Sequence, residues 1–177
     1  MADKILLVID LDRCWGCGTC EVACALEKKS GPGSGRVKVE EAREGSALPL
    51  PGSPQGHVFV PVLCQQCDDP ACVSACPVSA LAKSDSGLVE FDAELCLACG
   101  ACESACPFGA ITLGEASGMP EKCDLCASRQ SAGLLPACVQ HCPGKAIALG
   151  PFLPGANQAR GLKRSWSFGS VEYRARA

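Results

Sequence analysis

The sixteen cysteines of this 177-residue chain fall into four groups of four. The first and third groups share the pattern Cys-x2-Cys-x2-Cys-x3-Cys. This spacing is typical of the ligands of a [4Fe–4S] cluster, which takes one thiolate for each of its four irons. The groups are Cys14, Cys17, Cys20 and Cys24; Cys64, Cys67, Cys72 and Cys76; Cys96, Cys99, Cys102 and Cys106; and Cys123, Cys126, Cys138 and Cys142. Four groups predict four [4Fe–4S] clusters, with all sixteen cysteines as metal ligands.

The second and fourth groups are variants in which one interval is longer. Four residues separate Cys67 from Cys72, and eleven separate Cys126 from Cys138. A proline follows the last cysteine of groups two, three and four, and it holds that cysteine in an extended conformation that ends a helix. The resulting motif Cys-Pro-x-x-Ala occurs three times, and it predicts a helix, a turn and then a strand. In the first group Ala25 stands in place of the proline.

The fourth cysteine of a group is expected to serve a neighbouring cluster. Cys24 lies four residues after Cys20, which is about one helical turn further along the same face. It therefore points beyond the first three ligands of its group. In two-cluster ferredoxins the fourth cysteine of each run binds the other cluster in this way.

Two other uses of cysteine compete with this interpretation. A disulfide framework fits the even count, but such scaffolds are shorter and secreted, and residues 1–10 lack the basic start and the full apolar stretch of a signal peptide. Structural zinc commonly joins two CxxC pairs about fifteen to twenty residues apart. The fourth group could pass for such a zinc ribbon, so a zinc-bound structural or interaction module stays open as an alternative.

Composition narrows the functional class. The chain has a formal charge of −3, so nucleic acid is not an expected partner. No apolar run approaches the roughly 18 residues of a membrane span, and no residues resemble a catalytic site. Sixteen thiols require a reducing setting during assembly, which predicts a cytoplasmic location, with co-export beside a signal-bearing partner as the alternative.

The residues between the groups predict an α+β fold. We expect strands over residues 4–10, 36–40, 88–91 and 146–149, a helix over 20–28, and a hairpin turn at Asp85-Ser86-Gly87. Residues 31–56 are rich in glycine and proline and should be mostly loop. With only 5% aromatic residues the chain has little apolar core of its own, so cluster binding and folding should be coupled.

The chain order predicts two bacterial-ferredoxin-like modules, one inserted in the other. Residues 1–57 and 113–154 would form the outer module with groups one and four, and residues 58–112 the inserted module with groups two and three. Residues 155–177 differ, because five basic residues there alternate with Trp166, Phe168 and Tyr173. Since interfaces favour aromatic residues and arginine, this tail is predicted to be a docking arm, the alternative being a disordered end.

Two segments carry a resemblance to a known family. They are Cys64-Gln-Gln-Cys-Asp-Asp-Pro-Ala-Cys-Val-Ser-Ala-Cys-Pro77, and Lys122-Cys-Asp-Leu-Cys together with Pro136-Ala-Cys-Val-Gln-His-Cys-Pro143. They resemble the second and fourth motifs of the four-cluster electron-transfer subunits that accompany molybdenum and tungsten enzymes, among them dimethyl sulfoxide and nitrate reductases. The resemblance covers about residues 4–150. It implies single-electron transfer between a Mo/W-pterin catalytic subunit and an external carrier, or a flavin- or quinone-linked subunit.

The resemblance also implies which cysteines share a cluster. The sets are Cys14, Cys17, Cys20 and Cys142; Cys24, Cys123, Cys126 and Cys138; Cys76, Cys96, Cys99 and Cys102; and Cys64, Cys67, Cys72 and Cys106. They are expected to lie in that order, with the first nearest the catalytic subunit. The size of the chain resembles the small polyferredoxin-like subunit of soluble tungsten aldehyde oxidoreductases. A free-standing polyferredoxin that shuttles between enzymes is the alternative.

Overall fold

The computed structural model describes residues 6–31, 36–42, 58–150 and 164–175. Five α-helices lie in these ranges: α1 (Thr19–Lys28), α2 (Ala71–Ser74), α3 (Ala101–Ala105), α4 (Ala127–Ser131) and α5 (Ala137–His141). The strands are β1 (Leu6–Asp10), β2 (Val37–Glu41), β3 (Phe59–Leu63), β4 (Leu81–Lys83), β5 (Val89–Phe91), β6 (Ile111–Leu113), β7 (Pro120–Lys122), β8 (Ile147–Gly150), β9 (Arg164–Phe168) and β10 (Val171–Ala175). None of these helices is long and apolar enough to cross a membrane.

The largest sheet has four strands in the order β8-β1-β10-β9. β1 pairs antiparallel with β8, so the strand before the first cysteine group lies beside the strand after the fourth group. On its other edge β1 pairs parallel with β10. β1 is a continuous apolar run from Leu6 to Ile9, and Leu7, Val8 and Ile9 are all buried, which is typical of a strand covered on both faces.

Three two-stranded hairpins complete the strands. β2 pairs with β3, β4 with β5, and β6 with β7, all antiparallel. The turn between β4 and β5 is closed by a hydrogen bond from the Gly87 N–H to the Ser84 carbonyl, 2.9 Å long. The predicted hairpin at Asp85-Ser86-Gly87 is therefore present.

The apolar residues form two cores. The larger one contains β1, β3, β8 and β10 side chains together with six buried cysteines of groups one, two and four, and Cys64 is among them. The smaller one brings together Cys72, Leu81, Val89, Cys102 and Ile111. Cysteine thiols thus occupy the positions that aliphatic side chains fill in most proteins of this size.

Part of the segment predicted to be a docking arm, residues 164–175, has regular secondary structure. These residues form the β9–β10 hairpin, and β10 lies inside the main sheet between β1 and β9. Val171 and Tyr173 are fully buried, because alternate residues of a strand point to the same face of the sheet and this face meets the core. A segment that supplies a central strand is part of the fold, so residues 164–175 are not a disordered end, and the docking role predicted for the tail stays a prediction. Residues 155–163, 176 and 177 lie outside the described residues.

Other sequence-based boundaries differ by one residue. The expected strands over 36–40, 88–91 and 146–149 are observed as β2, β5 and β8. The helix expected over 20–28 begins at Thr19. Residues 4, 5 and most of the predicted loop between 31 and 56 lie outside the described residues.

Candidate metal centres

The same backbone turn opens every cysteine group. The second residue between the first two cysteines has a left-handed conformation in all four groups, with φ of 75° at Gly16, 51° at Gln66, 52° at Ala98 and 52° at Leu125. Only Gly16 adopts this conformation without a steric cost. The turn lets two thiols separated by two residues face the same space.

The Cys-Pro-x-x-Ala repeat is a hydrogen-bonded turn around sulfur. The N–H of Ala80 lies 3.2 Å from Cys76 Sγ, that of Ala110 lies 3.4 Å from Cys106 Sγ, and that of Ala146 lies 3.2 Å from Cys142 Sγ. The residue before each alanine is left-handed, at Ser79, Gly109 and Lys145. Because N–H groups aimed at a thiolate stabilise its negative charge, this repeat prepares the sulfur for metal binding.

The fold brings the cysteines together in four sites. The first site holds Cys14, Cys17, Cys20 and Cys142. The second site holds Cys24, Cys123, Cys126 and Cys138. The third site holds Cys64, Cys67, Cys72 and Cys106, which are mutual electrostatic neighbours. The fourth site holds Cys76, Cys96, Cys99 and Cys102. Each site therefore combines three cysteines of one group with the last cysteine of another.

The spatial order of the last two sites is the reverse of the order expected from the resemblance. Cys20 of the first site is an electrostatic neighbour of Cys138 in the second, and Cys123 of the second is a neighbour of Cys64 in the third. The third site therefore lies next to the second, and the fourth site is the far one. The expected order placed the fourth site in between. It is wrong because the third site spans both cores, with Cys64 in the larger and Cys72 in the smaller, whereas Cys102 of the fourth site belongs to the smaller core.

The second site is fastened to α1 by two ion pairs. Lys28 Nζ lies 2.8 Å from Asp124 Oδ2, and Arg129 Nη1 lies 2.7 Å from Glu27 Oε2. The first pair joins α1 to the turn between Cys123 and Cys126, and the second joins α1 to α4. These contacts hold Cys24 of α1 beside the three cysteines of the fourth group.

Burial suppresses ionisation of the inner thiols. It raises the pKa of Cys20 to about 12, with a further rise from the neighbouring Cys14 thiolate. It raises the pKa of Cys138 to about 12 and that of Cys72 to about 11, in each case with a contribution from another cysteine of the same site. Thiolates packed this closely need a compensating cation, so metal loading at these sites must release protons.

The donor set fits an iron–sulfur cluster. The first, second and fourth sites are hollows whose linings each include four cysteines, one thiol for each iron of a cubane. Among the described residues, no three Cys, His, Asp or Glu side chains form a group that could hold a single metal ion. The zinc ribbon expected as an alternative needs Cys142 beside Cys123, Cys126 and Cys138, but Cys142 lies in the first site.

The buried polar residues beside the third site were missed by sequence reasoning. Gln65, Gln66 and Lys122 are all buried, and Gln66 and Lys122 both donate to the carbonyl of Cys123. Lys83 Nζ donates to the carbonyls of Gln66, at 2.8 Å, and of Cys67. The Gln-Gln pair inside a CxxC turn was the available signal, because polar residues there must find partners when the turn is buried.

These turns, thiol sites and mixed strands and helices define a ferredoxin-type iron–sulfur protein. A family model described as a 4Fe-4S dicluster domain matches residues 56–151, and one described as a 4Fe-4S binding domain matches residues 7–24. The chain belongs to the 4Fe-4S dicluster domain family.

Curated relatives place the chain within this family more closely. A tetrathionate reductase subunit of Salmonella typhimurium is 39% identical over 150 residues, which cover 83% of this chain and 58% of that protein. The probable anaerobic dimethyl sulfoxide reductase chain YnfG of Escherichia coli is 39% identical over 147 residues, covering 81% of this chain and 72% of that one. The thiosulfate reductase electron transfer subunit PhsB of Salmonella typhi is 36% identical over 152 residues, covering 85% and 77%. The chain is thus similar to subunits of three reductases, one of which is named an electron transfer subunit, and it spans 58 to 77% of their length.

Proposed function

We propose that the chain passes single electrons through four [4Fe–4S] clusters between a Mo/W-pterin catalytic subunit and an external carrier or redox subunit. The observation that carries this proposal is the gathering of sixteen cysteines into four sites of four. Each cluster, when bound, supplies a centre that takes up and releases one electron. The chain contributes the positions of these centres and their surroundings.

The protein's own residues perform three tasks in this function. The sixteen thiolates are the ligands. The N–H donors of Ala80, Ala110 and Ala146 point at ligand sulfurs, and such hydrogen bonds tune reduction potential. Burial of the second site excludes water, because Cys24, Cys123, Cys126 and Cys138 are all buried. A dry interior site favours electron passage without side reactions of the ligands.

The module boundaries are part of the proposal. Residues 1–57 and 113–154 would form the outer module and residues 58–112 the inserted one, and the described hairpin over 164–175 joins the outer module. The pairing of β1 with β8 supports the outer module. The two separate cores support two modules, although Cys64 of the inserted one contributes to the larger core.

The partner and its substrate are also proposals. The relatives bear the names of tetrathionate, dimethyl sulfoxide and thiosulfate reductases, so we propose a reductase of a small sulfur compound ahead of a tungsten aldehyde oxidoreductase. A flavin- or quinone-linked subunit would bind at the end of the row of clusters that lies away from the catalytic subunit. Sixteen thiols without a disulfide support assembly in a reducing compartment such as the cytoplasm.

Metal analysis tests the cluster assignment. Anaerobically purified protein should contain about 16 iron and 16 sulfide per chain, because four cubanes hold four of each. Zinc at two or more per chain, with little sulfide, would contradict the proposal. Affinity purification of the native complex then separates a dedicated subunit, which retains one catalytic partner, from a free-standing polyferredoxin, which retains none.

A single substitution tests the sharing of ligands between groups. Cys24→Ser should alter the spectrum of the cluster in the second site and leave the first site intact, although Cys24 belongs to the first group in sequence. Cys20→Ser is the matched control from the same helix, and it should alter the first site. The sharing is refuted by a Cys24→Ser spectrum that matches that of Cys20→Ser.

A further inference from the structure

Two of the sixteen cysteines are exposed, and they lie at opposite ends of the row of sites. They are Cys17 in the first site and Cys99 in the fourth, whereas the other fourteen are buried or half-buried. All sixteen belong to the described residues, so the comparison is complete. Exposed ligands bring a cluster close to a partner's surface. Two ends are therefore open for electron exchange.

The surface around Cys99 is apolar at its centre. Leu95 and Leu97 are 50% and 66% exposed, and they lie on either side of the ligand Cys96. Single exposed apolar residues are common on proteins, but here two leucines stand within three positions, beside an exposed ligand. Both lie in the segment that forms the fourth site.

The chain segments on either side of these leucines are acidic. Between Lys83 and Lys122 the chain has no lysine or arginine. The same stretch contains seven acidic residues, and six of them are exposed: Asp85, Glu90, Asp92, Glu94, Glu103 and Glu115. In the described part of the chain no ion pair neutralises Asp92, Glu94 or Glu103. We call Asp92, Glu94, Leu95, Leu97, Cys99 and Glu103 the fourth-site surface.

The surface at the opposite end has a different character. There Trp15 is 61% exposed next to Cys14, and it shares a hollow with the half-buried Arg13, the exposed Lys145 and the exposed Asp12. Arg13 also pairs with Asp10, so this end combines charges of both signs. Since complementary charge steers and orients redox partners, one partner surface cannot suit both ends equally. The two ends therefore select different partners.

We propose that the fourth-site surface docks a redox protein whose contact face has lysine or arginine around an apolar centre. This inference rests on the proposed function and adds the chemistry of the partner at the end away from the first site. Leu95 and Leu97 supply the apolar contact, and Asp92, Glu94 and Glu103 supply attraction. A membrane surface would fit less well than such a protein, because anionic lipids repel the acidic side chains of the fourth-site surface.

The test uses cytochrome c, a small basic haem protein, as the probe. The loaded chain is reduced, freed of reductant and mixed with ferric cytochrome c in a stopped-flow instrument. In each transfer the cluster of the fourth site loses one electron, and one haem iron of cytochrome c gains it and passes from ferric to ferrous. The rate constant should fall steeply as salt is added, and an acidic haem protein such as cytochrome b5 should show the opposite salt dependence.

Neutral variants locate the docking surface. The triple variant Asp92→Asn, Glu94→Gln, Glu103→Gln should slow reduction of cytochrome c about tenfold or more at low salt and flatten its salt dependence. Leu97→Ser should slow it at high salt as well. Glu40→Gln and Lys38→Gln on β2 are controls that should leave the rate unchanged.

The outcomes separate this inference from the proposed function. Low iron and sulfide content in the wild-type protein would overturn both. Full content with equal rates and equal salt dependence for the wild-type protein and the triple variant would overturn only the docking surface. Binding of the chain to phosphatidylserine vesicles that is lost in Leu97→Ser would also overturn it, because the surface would then contact lipid.

Discussion

Gln66 donates its side-chain N–H to the main-chain carbonyl of Cys123 across 2.8 Å. Its amide oxygen accepts the N–H of Val89 at 2.7 Å, and the side chain is fully buried. Gln66 lies between two ligands of the third site. Its side chain therefore binds both the backbone of Cys123, in the second site, and the backbone of Val89, in β5. The spacing between these two sites depends on this residue, and electron passage between them depends on the spacing.

Gln66→Met should weaken this junction. Methionine has a similar length but leaves the Val89 N–H without its partner, and an unsatisfied buried group costs about 1–3 kcal/mol. For a protein of this size that corresponds to roughly 2–4 °C per kcal/mol in the midpoint of thermal unfolding. The loss of visible absorption on heating measures this midpoint. Gln140→Met, at an exposed position, should shift the midpoint little, and equal shifts in the two variants would contradict the role of Gln66.

Lys122→Met should lower the reduction potential at the second and third sites. Lys122 is 4% exposed, its Nζ lies 3.2 Å from the carbonyl of Cys123 in the second site, and its charge also acts on the Cys72 thiol of the third site. Removing a buried positive charge disfavours the added electron, and a change on the order of 1.4 kcal/mol, tenfold in equilibrium constant, is about 59 mV for one electron. Redox titration followed by electron paramagnetic resonance measures it. Lys38→Met, at an exposed position on β2, is the control, and equal potentials in both variants would refute the effect.

The turns that hold the candidate ligands could be predicted from sequence because their signal is local. Cysteine spacing and the Cys-Pro-x-x-Ala repeat depend on one turn of backbone each, and the structure shows those turns around Cys76, Cys106 and Cys142. The order of the sites could not be obtained in this way. It depends on Cys64 lying beside Cys123, two residues far apart in the chain whose proximity results from packing.

The place of the C-terminal hairpin in the main sheet was missed for a different reason. Its basic and aromatic composition favours an interface, but Val171-Glu172-Tyr173-Arg174 also alternates in polarity, which is typical of a half-buried strand. Tyr173 satisfies its hydroxyl within the core, through Gln65 Nε2 at 2.9 Å and the Pro61 carbonyl at 3.3 Å. The alternation was the more informative signal, because it predicts burial directly.

Gly169→Ala should disturb the third site from a distance in sequence. Gly169 has a φ of 53°, and a Cβ there would lie 2.3 Å from the Gln65 carbonyl oxygen and 2.8 Å from Cys67 Cα. The ligand turn would have to move, so we expect partial loss of one cluster, measured as iron per chain and by spectroscopy. Gly133→Ala also has a positive φ, of 74°, but meets open space. Full retention of iron in Gly169→Ala would show that the hairpin does not position the ligand turn.

Truncation before Arg164 should destabilise the protein. It removes β10 from the centre of the main sheet and exposes Leu7 and Ile9 on β1. We expect less soluble protein and loss of iron from the first and second sites, whose cysteines share the larger core with β10. Removal of residues 176 and 177 alone is the control. If a chain that ends at residue 163 retained about 16 iron, the hairpin would be dispensable for the fold.

The parallel pairing of β1 with β10 has a consequence for biosynthesis. Leu7 lies opposite Val171, and Val171 follows every cysteine in the chain. The larger core, which β10 shares with cysteines of the first and second sites, is therefore completed only after all sixteen ligands have left the ribosome. The hairpins β4–β5 and β6–β7 can form earlier, so the surroundings of the fourth site can fold during translation and the packing around the first and second sites is completed last.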